Sequence, residues 1–268
     1  MNTSSPESGV DHAPEVLVDI RDGIGRIIFN RPQQRNPLGP ETTPILLTAL
    51  ERFEADPDCR VIIITGNGPA FCCGADLKQI VATGDIDMEW QYQLVRGYNR
   101  FIQRLREHDL PSIAAVNGPA VGGGAALGLA CDFAVASTQA SYMFAFGRIG
   151  ASGADMGCTY LLPRHIGVAR AAHLILTGAT VDAEHGRALG LFVDVVQPQA
   201  LAAAAESLAR QVIDAYPRRA TAITKLALVR GESSSLETCL GYEGITQNYT
   251  FRSEEHRQRL QKFLDQGD

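Results

Sequence analysis

Residues 117 to 132 read NGPAVGGGAALGLACD, and this stretch decides the fold that the sequence predicts. It follows a short apolar run, Ser112–Val116, typical of a buried strand, and leads into small residues typical of a helix. Glycines at such a joint allow a tight turn or the close approach of a ligand. The first N–H groups of a helix also lack intrahelical partners and favour an anion. The glycines alone leave two interpretations open, close strand–helix packing or an oxyanion site.

The composition is that of an ordinary globular protein. The chain has 268 residues, 45% of them hydrophobic, and a formal net charge of −6. No stretch carries a dense run of basic residues, so nucleic acid is not expected as a partner, because that binding rests on neutralising phosphates. The six cysteines include no C-x-x-C pair and no nearby histidines at ligand spacing. Neither a metal site nor a disulfide framework is predicted.

The N-terminal segment, residues 1 to 14, is polar and lacks the basic and apolar regions of a signal peptide. No stretch offers the roughly eighteen apolar residues that a membrane-spanning helix needs. We therefore expect a disordered tail on a cytoplasmic protein, with no membrane partner.

Strand-like and helix-like segments alternate after this tail. Two β-rich runs flank Asp22-Gly23 and predict a hairpin, and residues 60 to 65 form a fully apolar strand followed by a second glycine-rich loop. Residues 90 to 108 show the spacing of a long amphipathic helix. This alternation of strands and helices predicts an α/β core over residues 15 to 196. Residues 197 to 268 are mainly helical in pattern.

Several motifs, in order along the chain, resemble the crotonase superfamily, also called the enoyl-CoA hydratase/isomerase family. They are NRPQQRNPL, VIIITG, AFCCGADLK, SIAAVNGPAVGGGAALGLACD and TYLLPRHIG. The resemblance implies a crotonase-like spiral of β-β-α units with a helical C-terminal part, assembled as a homotrimer or homohexamer. It also implies an acyl-CoA substrate, so that CoA enters as part of the substrate and no prosthetic group is needed.

The same resemblance implies an oxyanion hole built from two backbone N–H groups. By position these belong to Ala75, after the glycine of FCCGAD, and to Gly123, the middle glycine of GGG. A thioester oxyanion needs such preorganised donors in a dry site. Small residues at both positions let the backbone approach the thioester.

The chain departs from the family pattern at the residues that carry acid–base chemistry. The hydratases of the family have two glutamates, and Ala126 and Phe146 align with them here. Hydration requires a group that deprotonates water, so standard hydration is in doubt. Ala126 and Phe146, with Tyr142, are expected to shape the acyl pocket instead.

One acid remains in a matching position. Asp155, in the segment IGASGADMGCT, aligns with the acid that moves a proton between acyl carbons in double-bond isomerases of the family. Its alternative role is that of N-cap for the helix through Tyr160, a common use of aspartate.

Contacts to the CoA moiety are carried over from the family as well. Arg35 and Lys78 occupy positions where basic residues often lie near the phosphates, and Cys73 lies in the loop beside Ala75. Lys262 and Phe263, in the last helical segment, are expected to cover the adenine, in some members across the subunit interface.

The sequence therefore favours an enoyl-CoA isomerase with Asp155 as its single acid–base. A hydratase with a carboxylate relocated to Asp85, Asp87 or Glu89 is the second hypothesis. A hydrolase or decarboxylase on the same scaffold is the third, because a fold does not determine a reaction. A non-catalytic acyl-CoA binder would retain the two N–H donors without the chemistry.

Overall fold

The structure is a computed structural model that describes residues 13 to 82 and 88 to 266. The predicted tail lies outside these ranges except for Ala13 and Pro14. The strands are β1 (Val16–Arg21), β2 (Ile24–Phe29), β3 (Val61–Gly66), β4 (Ser112–Val116), β5 (Pro119–Val121), β6 (Phe133–Ser137), β7 (Ser141–Met143), β8 (Thr180–Asp182) and β9 (Asp194–Val196).

Helices connect the strands and make up the C-terminal part of the chain. They are α1 (Thr42–Ala55), α2 (Leu77–Ala82), α3 (Met88–Glu107), α4 (Gly123–Ala130), α5 (Cys158–Ile166), α6 (Val168–Thr177), α7 (Ala183–Ala188), α8 (Leu201–Ala215), α9 (Arg218–Gly231), α10 (Leu236–Phe251) and α11 (Glu254–Asp265). Among the described residues, none of these helices has the length and apolar character to cross a membrane.

The hairpin that the sequence predicts is confirmed. β1 and β2 pair antiparallel around Asp22 and Gly23. These two residues have φ of 56° and 77°, the left-handed conformation that a two-residue hairpin turn requires.

Two sheets carry the rest of the fold. The large sheet has the order β1-β2-β3-β4-β6-β9, with every pair after the hairpin parallel. The small sheet contains β5, β7 and β8. The sequence did not predict β5 and β8, because each has three residues with only the central one buried, too short for a periodic pattern.

From β4 to β7, consecutive strands alternate between the large and the small sheet. β4 lies in the large sheet and β5 in the small one, and α4 follows; β6 and β7 repeat this order ahead of α5. One unit earlier, β3 is followed by Cys72, which bridges Ala120 of β5, and then by α2 and α3. The expected spiral of β-β-α units is therefore confirmed.

Both faces of the large sheet are buried. Ile62 and Ile64 of β3 pack in the main core, whereas Val61 and Ile63 pack in a second apolar layer with α8. This alternation follows from the two-residue period of a strand. The predicted boundary at residue 196 thus falls between two segments that share a core.

A buried ion pair joins α9 to the strands. Lys225 has 5% of its side chain exposed, and its Nζ lies 3.0 Å from Asp132 Oδ2. The same Nζ donates to the carbonyl oxygens of Leu105 (3.0 Å) and Leu110 (2.9 Å), so all three ammonium protons have acceptors. Ser112 donates its N–H (2.7 Å) and its hydroxyl (2.8 Å) to the same carboxylate oxygen. These contacts give Asp132 a structural role.

Lys225→Met is expected to lower the free energy of unfolding by about 3 to 5 kcal/mol, because it leaves the Asp132 carboxylate buried without its cation. Denaturant titration measures the change. Arg210→Met serves as the matched control. Arg210 pairs with Asp22 at 4.0 Å on the surface, where ion pairs contribute roughly 0 to 1 kcal/mol. Equal small losses in both variants would contradict the importance of the buried pair.

Candidate active site

The loop after β3 and the turn before α4 touch through their backbones. Gly74 has φ of 84°, and a Cβ placed there would lie 2.7 Å from the carbonyl oxygen of Val121 and 3.2 Å from Gly123 N. A Cβ on Gly124 would lie 2.1 Å from the carbonyl oxygen of Cys72. Close approach of the two segments therefore requires glycine at both places.

Two asparagine side chains hold the loop in shape. Asn36 Nδ2 donates to the carbonyl oxygens of Asn67 (2.9 Å) and Ala70 (2.8 Å). Asn117 Nδ2 donates to those of Gly68 (2.9 Å) and Ala70 (3.1 Å). The backbone of this loop is thus positioned by side chains from two other parts of the chain.

The N–H groups of Ala75 and Gly123 are left without protein acceptors. Leu38 pairs with the neighbours of Ala75, since its N–H donates to Gly74 O (2.8 Å) and its carbonyl accepts from Asp76 N (3.0 Å). Gly123 is the first residue of α4, where no intrahelical partner exists. Across the described ranges neither N–H donates to a protein atom.

Both residues line one cavity of about 530 Å³. One wall is a stripe of α3 with helical spacing, a signal present in the sequence that its analysis did not assign to a site. The larger uncharged side chains along the cavity belong to Leu38, Cys73, Leu77, Ile80, Gln91, Leu94, Val95, Tyr98, Val121, Met143, Phe146, Ile149 and Met156. Tyr98 donates its hydroxyl to Leu38 O at 2.7 Å, so this polar group is already satisfied.

Asp155 is the one carboxylic acid among the described residues of the lining. Burial raises the pKa of its carboxyl above the ordinary 3.8, and a hydrogen bond from the N–H of Met156 opposes this rise. The alternative role as helix cap is wrong. α5 begins at Cys158 with Gly157 as N-cap, and no side chain accepts a capping hydrogen bond there.

Met156 lies against both Asp155 and Gly123. It is a buried residue with φ of 46°, which side chains rarely adopt. A Cβ on Gly123 would lie 2.8 Å from its Sδ. The backbone of Met156 therefore contacts Asp155 while its side chain covers the first turn of α4.

Two of the expected pocket residues lie elsewhere. Ala126 is fully buried in α4, and Tyr142 is fully buried in β7 with its ring 4.8 Å from that of Phe192. Neither lines the cavity, because strand and helix geometry directs both side chains into the core. Phe146 does line it, and its ring lies 3.6 Å from the place of a Cβ on Gly122.

The residues expected at the CoA moiety are spread over two regions. Cys73 lines the cavity, and its N–H donates to the carbonyl oxygen of the exposed Arg35 at 3.0 Å. Lys78 is exposed on α2, the helix that also contributes to the lining. Lys262 and Phe263 are exposed on α11 and are not part of the cavity within one chain.

The carboxylates proposed for a hydratase are not in the lining as described. Asp85 and Asp87 lie outside the described residues. Glu89 is in the first turn of α3, where it accepts a hydrogen bond from Gln93 Nε2 at 2.7 Å. Within residues 13 to 82 and 88 to 266, no three His, Cys, Asp or Glu side chains form a group that could hold a metal ion.

Two backbone N–H groups without protein acceptors, in a largely apolar cavity of a β-β-α spiral, have the geometry that could hold an oxyanion. Residues 19 to 268 match the model of the enoyl-CoA hydratase/isomerase family, so the chain belongs to this acyl-CoA-acting family.

Relatives and solved structures agree with this assignment. The chain is 34% identical to the 1,2-epoxyphenylacetyl-CoA isomerase of Escherichia coli, over 93% of this chain and 95% of that protein. It is 34% identical to the (E)-benzylidenesuccinyl-CoA hydratase of Thauera aromatica, over 92% and 95%. The crystal structure of an enoyl-CoA hydratase from Bacillus anthracis superposes with a TM-score of 0.89 at 30% identity, covering 94% of this chain and 97% of that one.

Gly123→Pro is expected to lower kcat/KM on acyl-CoA thioesters roughly a hundred- to a thousandfold, because it removes one oxyanion donor. Proline is tolerated at the first position of a helix, so the fold should persist. Gly123→Ala is the control, since it adds a Cβ against Met156 Sδ but keeps the N–H. Turnover of 3-hexenoyl-CoA and crotonyl-CoA, with melting curves, measures both variants. Equal losses in both would show that crowding, and not the donor, is responsible.

Proposed function

We propose that the protein isomerises 3-enoyl-CoA to 2-enoyl-CoA through an enolate, with Asp155 as its acid–base. The observation that carries this proposal is the composition of the cavity. It contains both unpaired N–H groups and, among its described lining, a single carboxylic acid. One carboxylate suffices for a reaction in which a proton leaves one carbon and returns to another.

The proposed reaction has two steps. The Asp155 carboxylate removes a proton from C2 of the 3-enoyl thioester, and the electron pair moves onto the thioester oxygen. The N–H groups of Ala75 and Gly123 hold the resulting oxyanion. Asp155 then returns the proton to C4, the double bond forms between C2 and C3, and the thioester carbonyl is restored. No water is consumed and no electron acceptor is needed.

The environment of Asp155 suits this role. Burial raises the pKa of its carboxyl, so the ionised form is a stronger base than an exposed aspartate. Because the surrounding wall is largely apolar, the same burial strengthens the interaction of an oxyanion with the two N–H groups.

The relatives support both the first and the second hypothesis. One is named as a 1,2-epoxyphenylacetyl-CoA isomerase and another as an (E)-benzylidenesuccinyl-CoA hydratase. Hydration here would require a relocated carboxylate from Asp85, Asp87 or Glu89. A hydrolase or decarboxylase on the same scaffold and a non-catalytic acyl-CoA binder are the remaining alternatives.

Asp155→Asn is expected to slow isomerisation of 3-hexenoyl-CoA roughly a hundred- to ten-thousandfold while acyl-CoA binding persists. Wild-type protein should hydrate crotonyl-CoA poorly. Fast hydration that survives in Asp155→Asn would reject the isomerase and favour the hydratase. Absence of turnover on both thioesters, with tight binding retained, would favour the binder.

The stability of Asp155→Asn provides an independent prediction. Because the pKa of Asp155 is raised in the folded state, its ionisation lowers stability as pH rises through that pKa. Asparagine removes this penalty, so the melting temperature at about pH 7 should be equal or higher than that of the wild type. The difference should disappear at about pH 3, where both states are protonated. A lower melting temperature at about pH 7 would contradict the burial of an ionised carboxyl.

We further propose that the C-terminal helices form the contacts of a homotrimer or homohexamer. Several large apolar side chains are exposed on α9 to α11, namely Leu228, Leu236, Leu240, Ile245 and Phe263. In such an assembly Lys262 and Phe263 would cover the CoA of a neighbouring subunit, with Arg35, Lys78 and Cys73 contacting it from their own.

Light scattering at micromolar concentration is expected to give about three or six times the chain mass, because the exposed apolar surface of α9 to α11 favours association. Phe263→Glu should shift this distribution toward smaller species. A wild-type protein that is monomeric under these conditions would reject the assembly.

A further inference from the structure

Arg148 is the one cationic side chain in the described lining of the cavity. It lies in the 3-10 helix Ala145–Ile149, two residues after Phe146. No carboxylate or carbonyl pairs with its guanidinium within the part of the chain that the structure describes. Its side chain is exposed to solvent, whereas Arg26, Arg31 and Arg106 are partly buried and form ion pairs with acidic side chains.

Asp155 does not serve as the partner of Arg148. A guanidinium within about 4 to 6 Å of a carboxylate favours the ionised form and lowers its pKa. Among the described residues no ion pair joins Arg148 to Asp155, and the pKa of Asp155 is raised by burial. The two charged groups of the cavity therefore act separately.

Arg148 lines the cavity with its side chain exposed to solvent, so its guanidinium is accessible to a ligand. Its Nε lies 3.8 Å from the place of a Cβ on Gly178, at the end of α6, and its neighbour Ile149 is 59% exposed. Gln91 of α3 is the other polar side chain of the lining that has no hydrogen-bond partner among the described residues. A cavity for an unsubstituted acyl chain would not need either group.

We propose that the acyl group of the substrate carries a carboxylate at the end away from the thioester, and that Arg148 binds this carboxylate with Gln91 beside it. This inference rests on acyl-CoA binding in the cavity, as in the proposed function. Guanidinium and carboxylate form a charge-assisted, often bidentate hydrogen bond. Such a contact corresponds to roughly ten- to a hundredfold in affinity.

The test compares two saturated thioesters of equal chain length, hexanoyl-CoA and adipoyl-CoA, which differ in the terminal carboxylate. Isothermal titration calorimetry gives Kd for wild type, Arg148→Gln and the control Arg100→Gln, which changes an exposed arginine of α3. Wild type and control should bind adipoyl-CoA at least about tenfold more tightly than hexanoyl-CoA. Arg148→Gln should lose this preference and keep its affinity for hexanoyl-CoA within about twofold.

Two outcomes would overturn the proposal. One is a wild type that binds both thioesters equally. The other is an Arg148→Gln variant that loses affinity for both thioesters to the same extent but binds S-hexanoyl-pantetheine as tightly as the wild type does. S-hexanoyl-pantetheine lacks the CoA phosphates, so this result would mean that Arg148 binds a phosphate. Neither thioester can be isomerised, so the result does not depend on Asp155. A retained preference in a protein without isomerase activity would reject the proposed reaction and leave the role of Arg148 intact.

Discussion

The structure depends on a backbone contact that side chains would prevent. Gly74 and Gly124 lie against carbonyl oxygens of the opposite segment, at distances that leave no room for a Cβ. This approach brings the loop between β3 and α2 onto the start of α4. As a consequence, two peptide N–H groups from separate parts of the chain line the same cavity. Hydrogen bonds from Asn36 and Asn117 maintain the arrangement, so the donors are in place before a ligand binds.

Burial does more at this site than exclude water. Burial raises the pKa of Asp155. In the low dielectric of an apolar wall, the electrostatic interaction of each N–H with a bound oxyanion would also be stronger. Met156 links these effects, since its backbone contacts the carboxylate and its side chain covers Gly123. Asp155 and the N–H of Gly123 therefore share one local environment.

The helical C-terminal part stabilises the scaffold that holds this site. α8 covers the second face of the large sheet. Lys225 of α9 contacts the carbonyl oxygens of Leu105 and Leu110, which lie at the end of α3 and just before β4, and the carboxylate of Asp132. A buried ammonium with all three protons satisfied tolerates few alternative positions. The orientation of α9 is thus tied to the strand that precedes the glycine turn.

Local patterns in the sequence predicted the hairpin, the α/β alternation and the glycine junctions, and the resemblance to the family implied the spiral of β-β-α units and the candidate acid Asp155. The sequence alone could not separate core from cavity. Tyr142 and Phe146 are both aromatic residues in one short segment, yet β7 ends between them, so that one packs in the core and the other lines the cavity. The stripe of α3 and the pairing of β5 and β8 were likewise decided by tertiary contacts. Which face of an element meets a ligand depends on residues distant in the chain, and their positions exist only once the fold has formed.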